Sequence, residues 1–314
     1  MFAYLLKRIL STIPVIFVVS VVIFMLIHLT PGDPASYILG NEATEEQIKD
    51  LREQLGLNEP LINQYVNWLG NLIQGDLGFS YATGDSVGAM IINNIWPTLS
   101  LAILAELIAI SIAIPLGIIA ALRRGTMVDQ TVMGLSLMGM AVPGFLLALI
   151  FILFFGVELR WFPVAGYAPL SSGWENHLRF LIMPAVALGA IQAALIARMT
   201  RSSMLEVLNK NYIKMARSKG VSETRMLFNH ALQNAFMPIL TVIGQTFGVL
   251  VTGAVIIETI FNIPGIGQLI INSIERRDYT VIQGVVLFVT LAYVSINLII
   301  DLLYGVIDPK VRLE

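Results

Sequence analysis

Apolar blocks of membrane length that carry almost no charge constrain this chain more than any other feature. No Asp, Glu, Lys or Arg lies between Ile9 and Gly32 or between Gln130 and Val157, and His230 is the one titratable side chain between Met226 and Ile257. A span needs about 20 mostly apolar residues, because about 1.5 Å of rise per residue must cross about 30 Å of hydrocarbon. Six segments meet that requirement: 9–28, 98–122, 131–154, 180–197, 238–258 and 281–303. Helices are expected throughout, since backbone groups in lipid must pair within their own segment and no ten-residue alternation of a membrane barrel is present. The sequence therefore predicts an all-α polytopic membrane protein with six transmembrane helices.

Composition agrees. Charged residues make up 13% of the chain, about half the usual quarter, and 56% is apolar or aromatic. A formal charge of -2 gives no global basic field for nucleic acid. The absence of cysteine excludes disulfides, thiolate metal sites, iron–sulfur clusters and cysteine nucleophiles.

The first apolar block follows Lys7 and Arg8 as a secretory signal would, but it is too long for such a core and lacks a small-residue cleavage site before Pro31. It is expected to remain as the first span. With the N-terminus inside, the inner face holds Lys7, Arg8, Arg123, Arg124, the seven basic residues from Arg198 to Arg225, Lys310 and Arg312, which is 13 against 6 outside. The positive-inside rule then places both termini in the cytoplasm.

The segment 33–97 is 65 residues long and carries nine carboxylates against two basic residues. It is expected to form an external cap between the first span (1–32) and a five-helix core (98–314). Thr44 and Gln47 fit a capping box, with Ile48, Leu51, Arg52 and Leu55 following at helical spacing and Gly56 to Pro60 breaking the helix. Trp68, Leu69, Leu72 and Ile73 would be wasted in a disordered linker.

Motifs of autonomous chemistry are missing. There is no GxxxxGK[ST] phosphate loop, no HExxH and no GxSxG, and His28, His177 and His230 are too scattered for a metal cluster. Polar groups within the spans are few. Glu106 lies about 12 Å inside the outer boundary, where a carboxylate by default faces a partner or a watery cavity. Gln192 and Gln245 stand at mid-span. These three are candidates for a translocation pathway, and helix packing is the competing role.

The inner segment 198–236 is the richest in signals. Asn211 can cap a short helix on which Tyr212, Met215, Ala216 and Lys219 fall at i, i+3, i+4 and i+7, and Gly220 suits its left-handed stop. Ser222 can cap a second helix, with Glu223 in its first turn. Charge alone would satisfy a topological signal or anionic lipid; this helical grammar asks for more.

At this segment the chain resembles the permease subunits of ATP-binding-cassette importers, whose coupling loop meets a separate ATPase. Gly220 and Ala216 match that loop, whereas Lys214 and Met215 replace its usual Glu and Ala. The strings Tyr212 to Gly220 and His230 to Ala235 are similar to the dipeptide, oligopeptide, glutathione and nickel members. So are Thr30 to Pro34, Gly75 to Ser80, Arg198 to Ser203, Phe261 to Gly267, Arg276 to Tyr279 and Asp301 to Pro309. Val157 to Pro163 leans toward the glutathione and dipeptide members.

The resemblance implies a type I ABC importer permease fold, with a coupling helix between spans 4 and 5, in a cell (inner) membrane. It implies pairing with a homologous second permease, two ATPase subunits that carry ATP and Mg, and an extracellular solute-binding protein, with no cofactor held by this chain. Tyr212, Met215, Ala216 and Gly220 are then expected to dock the ATPase, Arg217 and Lys219 to add polar contacts, and His230 and Asn234 to secure the second helix beneath the spans. Expected cargo is a small peptide, dipeptide or glutathione, ahead of nickel chelates and longer oligopeptides. A stand-alone ion-coupled secondary transporter, with Glu106 as its coupling site, and a non-transporting scaffold or receptor are the rival readings.

Overall fold

In the computed structural model, residues 2–29, 34–39, 43–54 and 56–307 are described. The string from Thr30 to Asp33, the residues Lys310 and Arg312, the end of the Asp301 to Pro309 string and the side chains of Lys7 and Arg8 lie outside the described residues. Every named element is helical, and among the described residues strand-like pairing is limited to one isolated bridge between Phe79 and Ser86.

The helices are α1 (Phe2–Leu29), α2 (Pro34–Leu39), α3 (Glu45–Gln54), α4 (Leu61–Ile73), α5 (Val87–Leu122), α6 (Met127–Ala141), α7 (Gly144–Phe151) and α8 (Trp174–Leu208), followed by α9 (Asn211–Ser218), α10 (Glu223–Arg225), α11 (Gln233–Gly253), α12 (Val255–Ile260), α13 (Ile266–Glu275) and α14 (Tyr279–Ile307). Four helical stretches among the described residues are long and apolar enough to cross a membrane: Val87–Leu122, Trp174–Leu208, Glu223–Thr252 and Tyr279–Leu302. A bent pair adds a fifth. Within α1 the apolar stretch is the shorter Leu10–Met25.

Three of the expected spans change shape. The straight helix expected at 131–154 is instead α6 and α7, the latter prolonged as a π-helix through Glu158, and the two halves meet at 97°. Pro143 is the cause: its ring disfavours helical backbone at the residue before it, and Val142 is extended at φ -82°, ψ 120°. The fourth span does not stop at 197, because α8 runs on to Leu208. The fifth begins early, as α10 passes through a π-helical turn, Met226–Leu232, into α11. It also ends early, so that Glu258 belongs to the separate short helix α12.

The chain divides into two compact units, Pro97–Gly267 with Ser295–Glu314, and Phe2–Trp96 with Gln268–Val294. In the first unit, Leu101, Ala105, Leu181, Leu250 and Phe261 anchor one buried cluster, and Ala113, Ile196, Met204, Ile213, Met226 and Ile239 anchor another. Small residues bring the helices together. A Cβ on Gly189 of α8 would lie 2.6 Å from the Ala105 carbonyl oxygen of α5, so only glycine permits this approach.

Glu258 is fully buried in that unit and is spent on structure. It accepts a hydrogen bond from Thr98 Oγ1 at 2.6 Å and another from the Gly267 N–H at 2.8 Å, while Thr98 Oγ1 accepts from the Ile266 N–H at 2.8 Å. Buried carboxylates require such partners. This socket accounts for the Phe261 to Gly267 string, because a Cβ on Gly265 would collide with the Glu258 carboxylate.

In the second unit, Thr44 and Gln47 form the expected capping box: Gln47 Oε1 accepts from the Thr44 N–H at 2.9 Å, and Thr44 Oγ1 from the Gln47 N–H at 3.3 Å. Trp68 and Tyr65 of α4 pack on Phe24 of α1, with ring centroids 5.9 and 5.3 Å apart. Ile73 stays exposed. Asp278 sits at the start of α14 and accepts from Ser80 Oγ at 2.5 Å and from the Ala82 N–H at 3.3 Å, so the Gly75 to Ser80 and Arg276 to Tyr279 strings meet here.

Candidate functional site

Two features of the first unit carry the functional reading, an amphipathic elbow after α8 and a cavity between α8 and α11. In the elbow, Ile213 is fully buried beside Met226, Ala231 and Ile239, which fixes the inward face of α9. Tyr212 and Met215 then point outward, 43% and 60% exposed, and Ala216 is half-buried beside them. An apolar face presented outside the spans marks an interaction surface.

The helix stop is as expected and its start is not. Gly220 has φ +79°, its N–H donates to Arg217 O at 2.9 Å and the Val221 N–H to Ala216 O at 3.2 Å, which together make a Schellman stop. At the other end Asn211 is the first helical residue, not the cap. Lys210 holds the cap position, without a side-chain cap bond. Ser222 occupies the expected cap position of α10, but its hydroxyl makes no cap bond either.

Bracing replaces those caps. Arg217 spans the Gly220 turn and donates to both oxygens of Glu223, Nε to Oε1 at 2.9 Å and Nη2 to Oε2 at 3.1 Å. The guanidinium expected to contact a partner is thus engaged within the elbow, whereas Lys219 is exposed. Asn234 Nδ2 donates to the His230 carbonyl at 2.7 Å, so these two residues act together where the π-helical turn passes into α11.

The cavity has a volume of about 580 Å³, within the usual range of small-ligand sites. Gln192, Arg198 and Ser202 line it from α8, Gln245 and Thr246 from α11, and Ile191, Leu195, Met199, Val242 and Val249 complete the wall. Both predicted mid-span glutamines therefore face one space. Glu106 stands behind the wall. It is 5% exposed, its Oε1 accepts from Thr246 Oγ1 at 2.9 Å, and its Oε2 has no hydrogen-bond partner among the described residues.

Sequence reasoning did not single out Arg198 and Thr246, which line the cavity with the two glutamines. A stripe at 191, 195, 198 and 202 was available as the signal, but it becomes legible only once the helix is known to continue beyond Ala197. Asp129 of α6, held by Arg201 of α8, was also missed.

A multi-pass helical bundle with an open, largely aliphatic cavity between α8 and α11 and an exposed elbow after α8 fits a membrane permease. The chain belongs to the family of binding-protein-dependent transport system inner membrane components, whose main domain matches residues 113–313 and whose N-terminal domain matches residues 1–102. A probable peptide ABC transporter permease protein of Sinorhizobium fredii is 44% identical over 309 residues, 98% of this chain and 99% of that one. The glutathione transport system permease protein GsiC of Escherichia coli (strain K12) is 40% identical over 312 residues, 99% of each chain. Among solved structures, an inward-facing form of the MetNI methionine ABC transporter superposes with a TM-score of 0.59 at 18% identity, covering 70% of this chain and 96% of that one, and shares the fold.

Proposed function

We propose that this chain is one permease subunit of an ATP-driven importer of small peptides, dipeptides or glutathione, and forms half of the translocation pathway. The observation that carries this reading is the elbow, in which a buried Ile213 and a Schellman stop at Gly220 hold Tyr212, Met215 and Ala216 on an exposed face. Rigid elements with a fixed outward face transmit displacement, and a short helix seated on a nucleotide-driven partner moves as one body. The continuous α8 and the turn into α11 carry that movement to the walls of the cavity.

The partners in this reading are a homologous second permease in a heterodimer, two ATPase subunits that bind ATP and Mg, and an extracellular solute-binding protein that delivers cargo; membership of a binding-protein-dependent transport family supports it. The chain lies in the cell (inner) membrane with both termini in the cytoplasm. Segment 33–97 forms the external cap and 98–314 the permease core. Names of relatives at 40–44% identity along the whole chain support the peptide assignment.

A second reading rests on Glu106, a buried carboxylate with one unpartnered oxygen beside the cavity: a stand-alone transporter that couples cargo to an ion gradient at this residue. Uptake of a labelled dipeptide into vesicles separates the two. The importer requires ATP and the partner ATPases; uptake that persists without either assigns the chain to the second reading.

A further inference from the structure

We infer that Arg198 holds the terminal carboxylate of the cargo inside the cavity between α8 and α11, giving this chain a selectivity of its own for free peptide acids. The inference rests on the importer reading above and names a subsite within it.

Two arginines three residues apart on α8 have opposite fates. Arg201 is committed to Asp129 through two hydrogen bonds of 2.5 and 2.7 Å. Arg198 is exposed, borders the cavity, and has no hydrogen-bond or ion-pair partner among the described residues. Among the described residues that line the cavity it is also the one that carries a charge. A topological signal needs only positive charge at the inner face, which the elbow already supplies; it does not require an arginine on the wall of a cavity.

Chemistry and size agree. A guanidinium fork matches a carboxylate through two parallel hydrogen bonds; among the described residues the cavity wall holds amides, hydroxyls and aliphatic groups but no anion, Glu106 standing behind Thr246. The carboxamides of Gln192 and Gln245 both donate and accept, as pairing with a peptide backbone demands. Six helical residues separate Gln192 from Arg198, an axial rise of about 9 Å. An extended dipeptide spans about 7 Å. The two lengths are of one scale, although the two side chains lie about 120° apart around α8; an amidated or cationic terminus leaves Arg198 unpaired.

The chain has no cysteine, so Ser202→Cys places a single thiol of this subunit on the cavity wall. The complete importer, without its binding protein, is held in nanodiscs of neutral phosphatidylcholine and labelled with a small maleimide in the presence of alanyl-alanine or alanyl-alanine amide. The free acid is expected to slow labelling at a concentration about tenfold lower than the amide, the usual strength of one charge-assisted pair. Arg198→Gln on this background is expected to abolish the difference and Arg198→Lys to keep part of it. Equal protection by the two compounds, protection by neither at concentrations the importer transports, or an unchanged preference in Arg198→Gln overturns the subsite. Protection by phosphatidylglycerol in place of peptide also overturns it, in favour of a lipid headgroup. ATP-driven uptake of alanyl-alanine and of glutathione by the unmodified importer with its binding protein is measured alongside: absence of uptake of both removes the peptide assignment itself, whereas uptake of alanyl-alanine without thiol protection removes only the role of Arg198.

Discussion

Arg201 grips Asp129 with two edges of its guanidinium, Nε to Oδ1 at 2.5 Å and Nη2 to Oδ2 at 2.7 Å, and so ties the C-terminal part of α8 to the first turn of α6. The Asp129 side chain is 6% exposed and that of Arg201 25%. Asp129 also accepts from the Gly125 N–H at 2.9 Å, which fixes the turn between α5 and α6. The pair thus links the turn after the second span to the helix that leads into the elbow.

Replacing Asp129 with Asn keeps the shape and removes the charge that two donors require. Loss of hydrogen bonds to a charged group costs about 1.5–3 kcal/mol, so thermal unfolding of the purified importer is expected at lower temperature, with uptake reduced. An unchanged transition would show that the pair contributes nothing to α6–α8 packing.

At Gly220 the backbone is left-handed, and both bonds of the helix stop pass through it or its neighbour. Gly220→Ala strains this turn by about 1 kcal/mol, whereas Gly220→Pro adds loss of the bond to Arg217 and a ring that fixes φ near -65°. Proline is expected to leave ATP hydrolysis running while uptake falls, with alanine intermediate. Equal uptake per ATP hydrolysed in all three proteins would separate this turn from coupling.

Thr98 connects Glu258 to the turn at Ile266 through one hydroxyl. Thr98→Val keeps the volume and breaks both bonds. It leaves a buried carboxylate short of a donor, at a cost of about 1–3 kcal/mol, and Thr98→Ser is expected to restore stability. Chemical denaturation of the two variants checks this; a valine form as stable as the parent contradicts the socket.

For Glu106, the Gln substitution can still accept from Thr246 and removes the charge. Correct folding with reduced uptake is expected. Identical uptake kinetics across a range of pH would reduce Glu106 to a packing residue.

The all-helical, multi-span character of the fold was legible because apolar length is a local property of the chain. The capping box at Thr44 and the left-handed stop at Gly220 could be read for the same reason, since each depends on a few adjacent residues. The bend at Pro143 was visible only as a proline in an apolar run, and such a residue kinks or breaks a span according to what packs around it. Cap positions at Lys210 and Asn211 differ by one residue, a distinction that propensity does not resolve. Gln192 and Gln245, which line one cavity, could be picked out because amides within spans are rare. Arg198 and Thr246 were not, because their role depends on α8 continuing past Ala197 and on which face of α11 meets it. The Glu258 socket and the Arg201–Asp129 pair join residues far apart in sequence, and nothing local announces such a pairing.

The most direct measurement of coupling uses the outward face of α9. Met215→Cys supplies this chain's one thiol on that face, 60% exposed in the parent side chain, and a short bifunctional crosslinker is applied to membranes that contain the whole importer. Capture of an ATPase subunit, with a yield that changes when ATP is added, is expected. A crosslinker that never captures an ATP hydrolase in membranes where the assembly is intact and transporting contradicts a coupling role for α9.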